Sequence, residues 1–153
     1  MQIISHPIEA PDASLPEVAL MVERLTAAQR SWRGKAADGM EFKFALAKPL
    51  QHGAAFWQTS AARYVIEQRP EPVVEVSLDL APSAAAGIGW AIGNLHLELS
   101  AEPGRLLAAD TPAVRELLDR LKVPYTRTTA VFRPGRFARG LHASHELGSS
   151  HTH

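Results

Sequence analysis

The sequence contains no cysteine, and this absence excludes three kinds of chemistry at once. Disulfide bridges, thiolate metal sites and cysteine nucleophiles cannot be built by this chain. An excess of charge is missing too, because 16 basic residues balance 16 acidic residues. The chain therefore lacks the basic character of nucleic-acid-binding proteins, and we predict no nucleic-acid partner and no anionic membrane partner.

Long hydrophobic runs are also absent. No apolar segment approaches the roughly 20 residues that cross a bilayer. The first residues, Met1 to Pro7, lack the basic and apolar regions of a signal peptide. A composition with 46% hydrophobic and 21% charged residues is that of a folded protein. We therefore predict a soluble cytoplasmic protein, and histidine is its main metal-binding side chain.

The hydrophobic pattern changes at the prolines of residues 69–72, which interrupt regular structure. Before them, short alternating runs predict a small β-sandwich or barrel over residues 1–71. After them, the pattern predicts the order β-α-β-β-α-β over residues 72–138, with Thr111 capping the second helix. That order indicates a ferredoxin-like domain and an α+β fold class. Loop composition predicts a flexible, histidine-containing tail over residues 139–153.

The most informative stretch is Gly93-Asn94-Leu95-His96, at the junction of the predicted first helix and the next strand. The pattern predicts a helix over residues 82–92 with Gly93 at its C′ position. It then predicts a strand over residues 95–100, with the leucines on one face and His96 on the other. In a ferredoxin-like domain the helices cover one face of the sheet. We therefore expect His96 on the open face, where a metal or a second subunit can reach it.

Four further histidines follow in the predicted tail. These candidate metal ligands are His142, His145, His151 and His153. Clustered imidazoles on one segment can converge on nickel, copper or zinc. The alternative is a solvated chain end, or the remnant of an expression tag, whose histidines share no role.

Motifs of other function classes are missing. The sequence has no phosphate-binding Gly-Lys-Ser/Thr loop, no His-Glu-x-x-His helix and no nucleophile elbow. Predicted strands 95–100 and 105–109 carry no aromatic residue on which a nucleic-acid base could stack. An enzyme on this scaffold, such as an acyl phosphatase, would need an anion-binding loop that we do not find. We predict that the protein is not an enzyme.

Several motifs recur in an order that resembles the urease accessory metallochaperones called UreE. They are the arginine-bearing residues 30–33, Asp38-Gly39, the junction at residues 70–76, the segment Trp90-Ala91-Ile92-Gly93-Asn94-Leu95-His96, and residues 126–134. The resemblance implies a peptide-binding-type first domain, a ferredoxin-like metal-binding domain and a homodimer. It also implies that His96 binds Ni²⁺ at the dimer interface together with the partner's copy.

The chain departs from the family pattern at several positions. Ala91 stands where the signature has an earlier histidine, and Leu95 stands where it has an arginine. Where many family members carry further histidines, this chain has Ala108, Ala109, Thr111 and Pro112. Accessory metal sites at these positions are therefore not expected.

The resemblance implies a nickel-binding metallochaperone that delivers Ni²⁺ to apo-urease through an accessory GTPase complex. Two alternatives remain open. One is a metal-independent protein–protein adaptor in a maturation complex, and the other is a general protein that sequesters nickel, copper or zinc. Copper and zinc are possible substitutes because imidazole sites do not select nickel over copper.

Overall fold

The chain divides into two compact units, Met1–Arg69 and Pro70–His153. The structure, a computed structural model, describes residues 1–139 and 143–146. Within these residues both units contain helices and strands, which confirms the predicted α+β class. None of the described helices is long and apolar enough to cross a membrane.

The first unit is built from two three-stranded sheets. Its elements are β1 (Gln2–Ile4), β2 (Glu17–Val22), α1 (Arg24–Ala27), β3 (Ser31–Lys35), β4 (Glu41–Ala45), β5 (Ala55–Gln58) and β6 (Arg63–Gln68). One sheet has the order β1-β4-β3 and the other the order β2-β6-β5. Asp38-Gly39 lies at the turn of a hairpin, since β3 and β4 pair antiparallel. Gly39 has φ 92°, and the Met40 N–H donates to the Asp38 carboxylate over 2.9 Å.

Aromatic residues fill the core between these two sheets. Trp32 stacks on Phe44 with 3.9 Å between ring centroids, and Phe56 meets Phe42 edge-on at 5.0 Å. Such pairs contribute about 0.5–1.5 kcal/mol each beyond the area that they bury. Gly34 lies at an inward position of β3, where a Cβ would come within 2.8 Å of the Trp32 ring. A larger residue there would displace the indole.

The second unit has one six-stranded sheet and two helices within its described part. Its elements are β7 (Glu71–Ser77), α2 (Pro82–Asn94), β8 (Leu99–Glu102), β9 (Arg105–Ala109), α3 (Pro112–Arg120), β10 (Thr126–Ala130), β11 (Arg136–Arg139) and β12 (Ala143–Glu146). The strands lie in the order β10-β7-β9-β8-β11-β12. The first six elements follow the succession β-α-β-β-α-β along the chain.

Helices α2 and α3 pack on one face of this sheet. The shared core of this face comprises Val74, Val76, Ile88, Ile92, Leu106, Ala108, Val114, Leu117 and Leu118. The α3 residues in it recur at the helical period, so the helix buries one stripe and exposes the rest. Thr111 caps α3 as predicted, because its hydroxyl accepts from the Val114 N–H over 3.3 Å.

The expectation that the opposite sheet face is open is wrong around Phe132. Val73, Leu107 and Phe132 form a second small core there, and each is fully buried. Val73 alternates along β7 with the helix-facing Val74, so it must project to the other face. The chain after β10 covers these apolar side chains, which removes them from water.

Two strands, β11 and β12, lie at the start of the predicted tail and within its described part. Strand β11 pairs with β8, and β12 pairs with β11. The physical reason is that β8 would otherwise be a sheet edge with unpaired backbone groups, and β11 pairs with them. The predicted tail also includes residues 140–142 and 147–153, which lie outside the described residues.

Candidate metal centre

The segment that carries His96 is the end of α2 and not the beginning of a strand. Helix α2 continues to Asn94, and β8 begins only at Leu99. The predicted strand over residues 95–100 and the helix end at Gly93 are therefore wrong. Two of the three leucines do pack as the alternation predicted, because Leu97 and Leu99 lie against the core beneath the helices. Leu95 does not, since it is 46% exposed.

A Schellman motif ends α2 and fixes the backbone of His96. The His96 N–H donates to the Gly93 carbonyl over 2.9 Å, and the Leu97 N–H donates to the Ile92 carbonyl over 3.2 Å. In this motif the C′ residue adopts the left-handed conformation, and here that residue is His96, with φ 56°. A side chain in this region costs roughly 1–2 kcal/mol, which glycine would avoid.

The geometry of the motif presents His96 to solvent. Its side chain is exposed, and no described group forms a hydrogen bond with its imidazole. Two large apolar side chains nearby are also exposed: Trp90 at 70% and Leu95 at 46%. On the exposed side of α2, a Cβ added at Gly93 would meet no atom within 4 Å. An accessible imidazole and two exposed apolar side chains thus lie within seven residues of one another along the chain.

Trp90 and Leu95 were not singled out as functional residues from the sequence. Ile88 and Ile92 are buried, and Trp90 stands midway between them. Two positions along a helix correspond to a rotation of about 200°, so the side chain of Trp90 projects from the side of α2 opposite to the two isoleucines. Once Ile88 and Ile92 are known to be buried, the position of Trp90 two residues from each of them identifies it as exposed.

Of the other four predicted ligands, the structure describes only His145. His145 lies in β12 opposite Phe137 of β11, and Phe137 lies opposite Ala101 of β8. Two strand spacings therefore separate the backbones of His145 and Ala101, a distance of about 10 Å. His142, His151 and His153 lie outside the described residues.

The described residues do not assemble a complete metal site within one chain. No group of three or more potential ligands among histidine, aspartate and glutamate converges in this part of the chain. Two other histidines have local roles in the first unit. His52 Nδ1 accepts from the Gln68 N–H over 3.0 Å, and His6 Nδ1 lies 2.9 Å from the Ser5 hydroxyl.

An enclosed carboxylate of the second unit, that of Asp110, is already paired with cations. Asp110 has a side chain that is 5% exposed, and it accepts from Arg127 over 2.8 Å and from Arg115. The hydrogen bond from Arg127, supported by Arg115, holds the pKa of Asp110 below its ordinary value of 3.8 despite its partial desolvation. These cations compete directly with any metal for the carboxylate, so Asp110 is a structural residue.

Comparison with known proteins places this architecture in a class of accessory proteins. A family model described as the C-terminal domain of the UreE urease accessory protein matches residues 71–153. A Urease accessory protein UreE from Rhodobacter capsulatus is 32% identical over 122 residues, covering 77% of this chain and 75% of that protein. Proteins of the same name from Chelativorans and Deinococcus radiodurans are each 30% identical and cover 76% and 82% of the chain, and 75% and 78% of their own lengths.

The chain belongs to the UreE family of urease accessory proteins. This family consists of accessory chaperones and not enzymes, so the prediction of a non-enzymatic protein is confirmed. Its role lies in the maturation of urease.

Proposed function

We propose that this protein is a homodimeric, cytoplasmic nickel carrier that delivers Ni²⁺ to apo-urease through an accessory GTPase complex. One observation carries the proposal: His96 is held exposed, in a left-handed conformation, at the end of α2. A non-glycine residue in a strained backbone position is a recurrent feature of functional sites. In this proposal residues 72–138 form the ferredoxin-like metal-binding domain, and residues 1–71 form a peptide-binding-type domain.

A two-fold dimer would supply the second ligand that a single chain lacks. An isologous contact brings identical residues together, so one His96 per chain becomes a pair per dimer. Support comes from Trp90 and Leu95, whose exposed apolar surface lies close to His96 along the chain. Tryptophan is one of the residue types enriched in the hot spots of protein interfaces.

Two imidazoles leave most coordination positions of Ni²⁺ open. Water or tail histidines would complete the site, and His142 and His145 come first because they are nearer to the folded core. His151 and His153 are further candidates. A site completed by exchangeable ligands releases its metal readily, which suits a carrier. Each imidazole must be neutral to bind, so acid should weaken nickel binding.

Calorimetric titration of the full-length protein with Ni²⁺ tests the proposal. Wild type should bind one tight Ni²⁺ per two chains, and His96→Ala should lose that site. His6→Ala is the matched control, because it removes an exposed histidine from the first unit. Unchanged affinity and stoichiometry in His96→Ala would refute the role of His96.

A metal-independent adaptor is the second candidate function. The absence of a ligand cluster in the described residues favours it. Equilibrium dialysis against Ni²⁺ separates the two candidates, since an adaptor retains no metal. Adding Cu²⁺ and Zn²⁺ as competitors in the same dialysis experiment separates a nickel carrier from a general sequestering protein. A general sequestering protein should prefer Cu²⁺, because imidazole ligands alone favour copper.

A further inference from the structure

The outer face of the sheet β1-β4-β3 carries a positively charged surface that nickel binding does not use. Strand register places Ile3, Lys43 and Arg33 in one row across the three strands. Lys35 lies two residues further along β3, on the same face and opposite Glu41. The exposed or partly exposed side chains of Ile3, Arg33, Lys35 and Lys43 are called the basic face below.

The basic face contains a like-charge pair that forms no ion pair among the described residues, and one carboxylate, Glu41, is exposed on the same face opposite Lys35. Arg33 and Lys43 are direct cross-strand partners, and like charges in that position destabilise a sheet. No carboxylate in the described part of the chain forms an ion pair with either of them. Elsewhere in the same unit the chain does pair its cations, as Arg63 with Glu17 over 2.5 Å. The positive charge therefore remains available to an external anion.

Apolar surface adjoins these cations. Ile3 is 66% exposed and Met1 is 68% exposed. A surface depression of about 410 Å³ adjoins them, lined by Met1, Arg33, Gly34, Lys35, Glu41 and Phe42. A ligand that fits this surface combines negative charge with apolar groups.

The chemistry of the basic face favours a polypeptide over a nucleic acid. The outward positions of β1, β3 and β4, all within the described residues, carry no aromatic side chain. Single-stranded nucleic acids bind to surfaces on which aromatic side chains stack with the bases. Exposed isoleucine and methionine side chains instead match the aliphatic side chains of a peptide.

We propose that the basic face docks an extended, acidic and partly apolar segment of a partner protein. Carboxylates of that segment pair with Arg33 and Lys43 and relieve their mutual repulsion, while its apolar residues cover Ile3. The proposal rests on the peptide-binding role proposed above for residues 1–71, and it adds the surface that binds and the chemistry of the bound segment.

Fluorescence anisotropy with a labelled peptide of alternating glutamate and leucine tests this docking on the full-length protein, in EDTA. The wild type should bind it, with affinity falling as salt rises, and should bind a glutamine–leucine peptide much more weakly. The double variant Arg33→Gln/Lys43→Gln should lose affinity by about tenfold or more, comparable to one charge-assisted hydrogen bond. Arg120→Gln/Lys122→Gln is the matched control, since it removes two exposed cations from the second unit and should bind normally.

Urea denaturation without peptide supplies a second readout. Lys43→Gln should raise the denaturation midpoint because it removes the like-charge pair, whereas a purely structural lysine would lower it when replaced. Equal peptide binding by the double variant, or tighter binding of duplex DNA than of the acidic peptide, would overturn the proposal. His96→Ala should bind the peptide normally, so failure of docking and failure of nickel binding are distinguishable.

Discussion

At the scale of single residues, the left-handed C′ positions of α2 and α3 make a matched pair. His96 has φ 56° and Lys122 has φ 57°, and both N–H groups donate to the carbonyl three residues earlier. Glycine at either position should remove roughly 1–2 kcal/mol of backbone strain from the folded state. It should also increase the entropy cost of folding by about 0.5–1 kcal/mol, because glycine is more flexible in the unfolded chain. We therefore expect His96→Gly and Lys122→Gly each to raise the free energy of unfolding by about 0.5–1 kcal/mol.

Urea denaturation and nickel calorimetry on the same two variants separate strain from function. Only His96→Gly should lose tight nickel binding, although it should be at least as stable as the wild type. Destabilisation by His96→Gly would mean that the imidazole itself stabilises the fold, contrary to its exposed position.

Asp110 gives a pH prediction at the same scale. Its folded-state pKa lies below the ordinary value of 3.8, chiefly because Arg127 donates to it. The stability that it contributes is therefore fully present above about pH 4 and is lost as pH falls through the lowered folded-state pKa. Asp110→Asn should be less stable than wild type at pH 7, and the difference should shrink below pH 4. The urea denaturation midpoints of wild type and Asp110→Asn, measured between pH 7 and below pH 4, give this difference in stability. A difference that stays constant with pH would contradict the lowered pKa of Asp110.

At the scale of elements, the two helices of the second unit differ at their N-termini. Thr111 caps α3 with a side-chain hydrogen bond, whereas the N-cap of α2 is Ala81, which has none. Thr111→Ala should lower the free energy of unfolding by about 1 kcal/mol, and Ala81→Ser should raise it by a similar amount. Ala81 has φ −58° and ψ 139°, an extended conformation suited to a cap. Chemical denaturation checks both, and a loss of stability in Ala81→Ser would count against this account.

The elements most faithfully predicted from the sequence are those with local signals. Strand β9 and the start of α3 match their predicted limits, because alternation and the Thr111-Pro112 cap act within a few residues. Strands β11 and β12 were missed. Their residues have no apolar alternation, and their partners are strands: β11 pairs with the edge of β8, and β12 pairs with β11.

At the scale of the whole molecule, the proposed dimer leads to a prediction for Trp90. An interfacial tryptophan typically contributes about 2 kcal/mol or more, so Trp90→Ala should weaken dimerisation about thirtyfold. Nickel stoichiometry should fall with it, because the paired His96 site needs both chains. Leu25→Ala is the control, since Leu25 is 69% exposed in the first unit. Sedimentation equilibrium measures both variants, and an unchanged dimer in Trp90→Ala would exclude this surface.

The sequence by itself determined the inventory of chemistry and the local periodicities. Lack of cysteine left imidazole as the main metal ligand, and apolar spacing indicated the α+β class. Only the tertiary structure decided where His96 lies. Leucines two apart fit a strand or a helical ending, and the hydrogen bond from Leu97 to Ile92 selects the ending. Burial of Leu97 against the core stabilises that choice, which leaves His96 exposed at the C′ position.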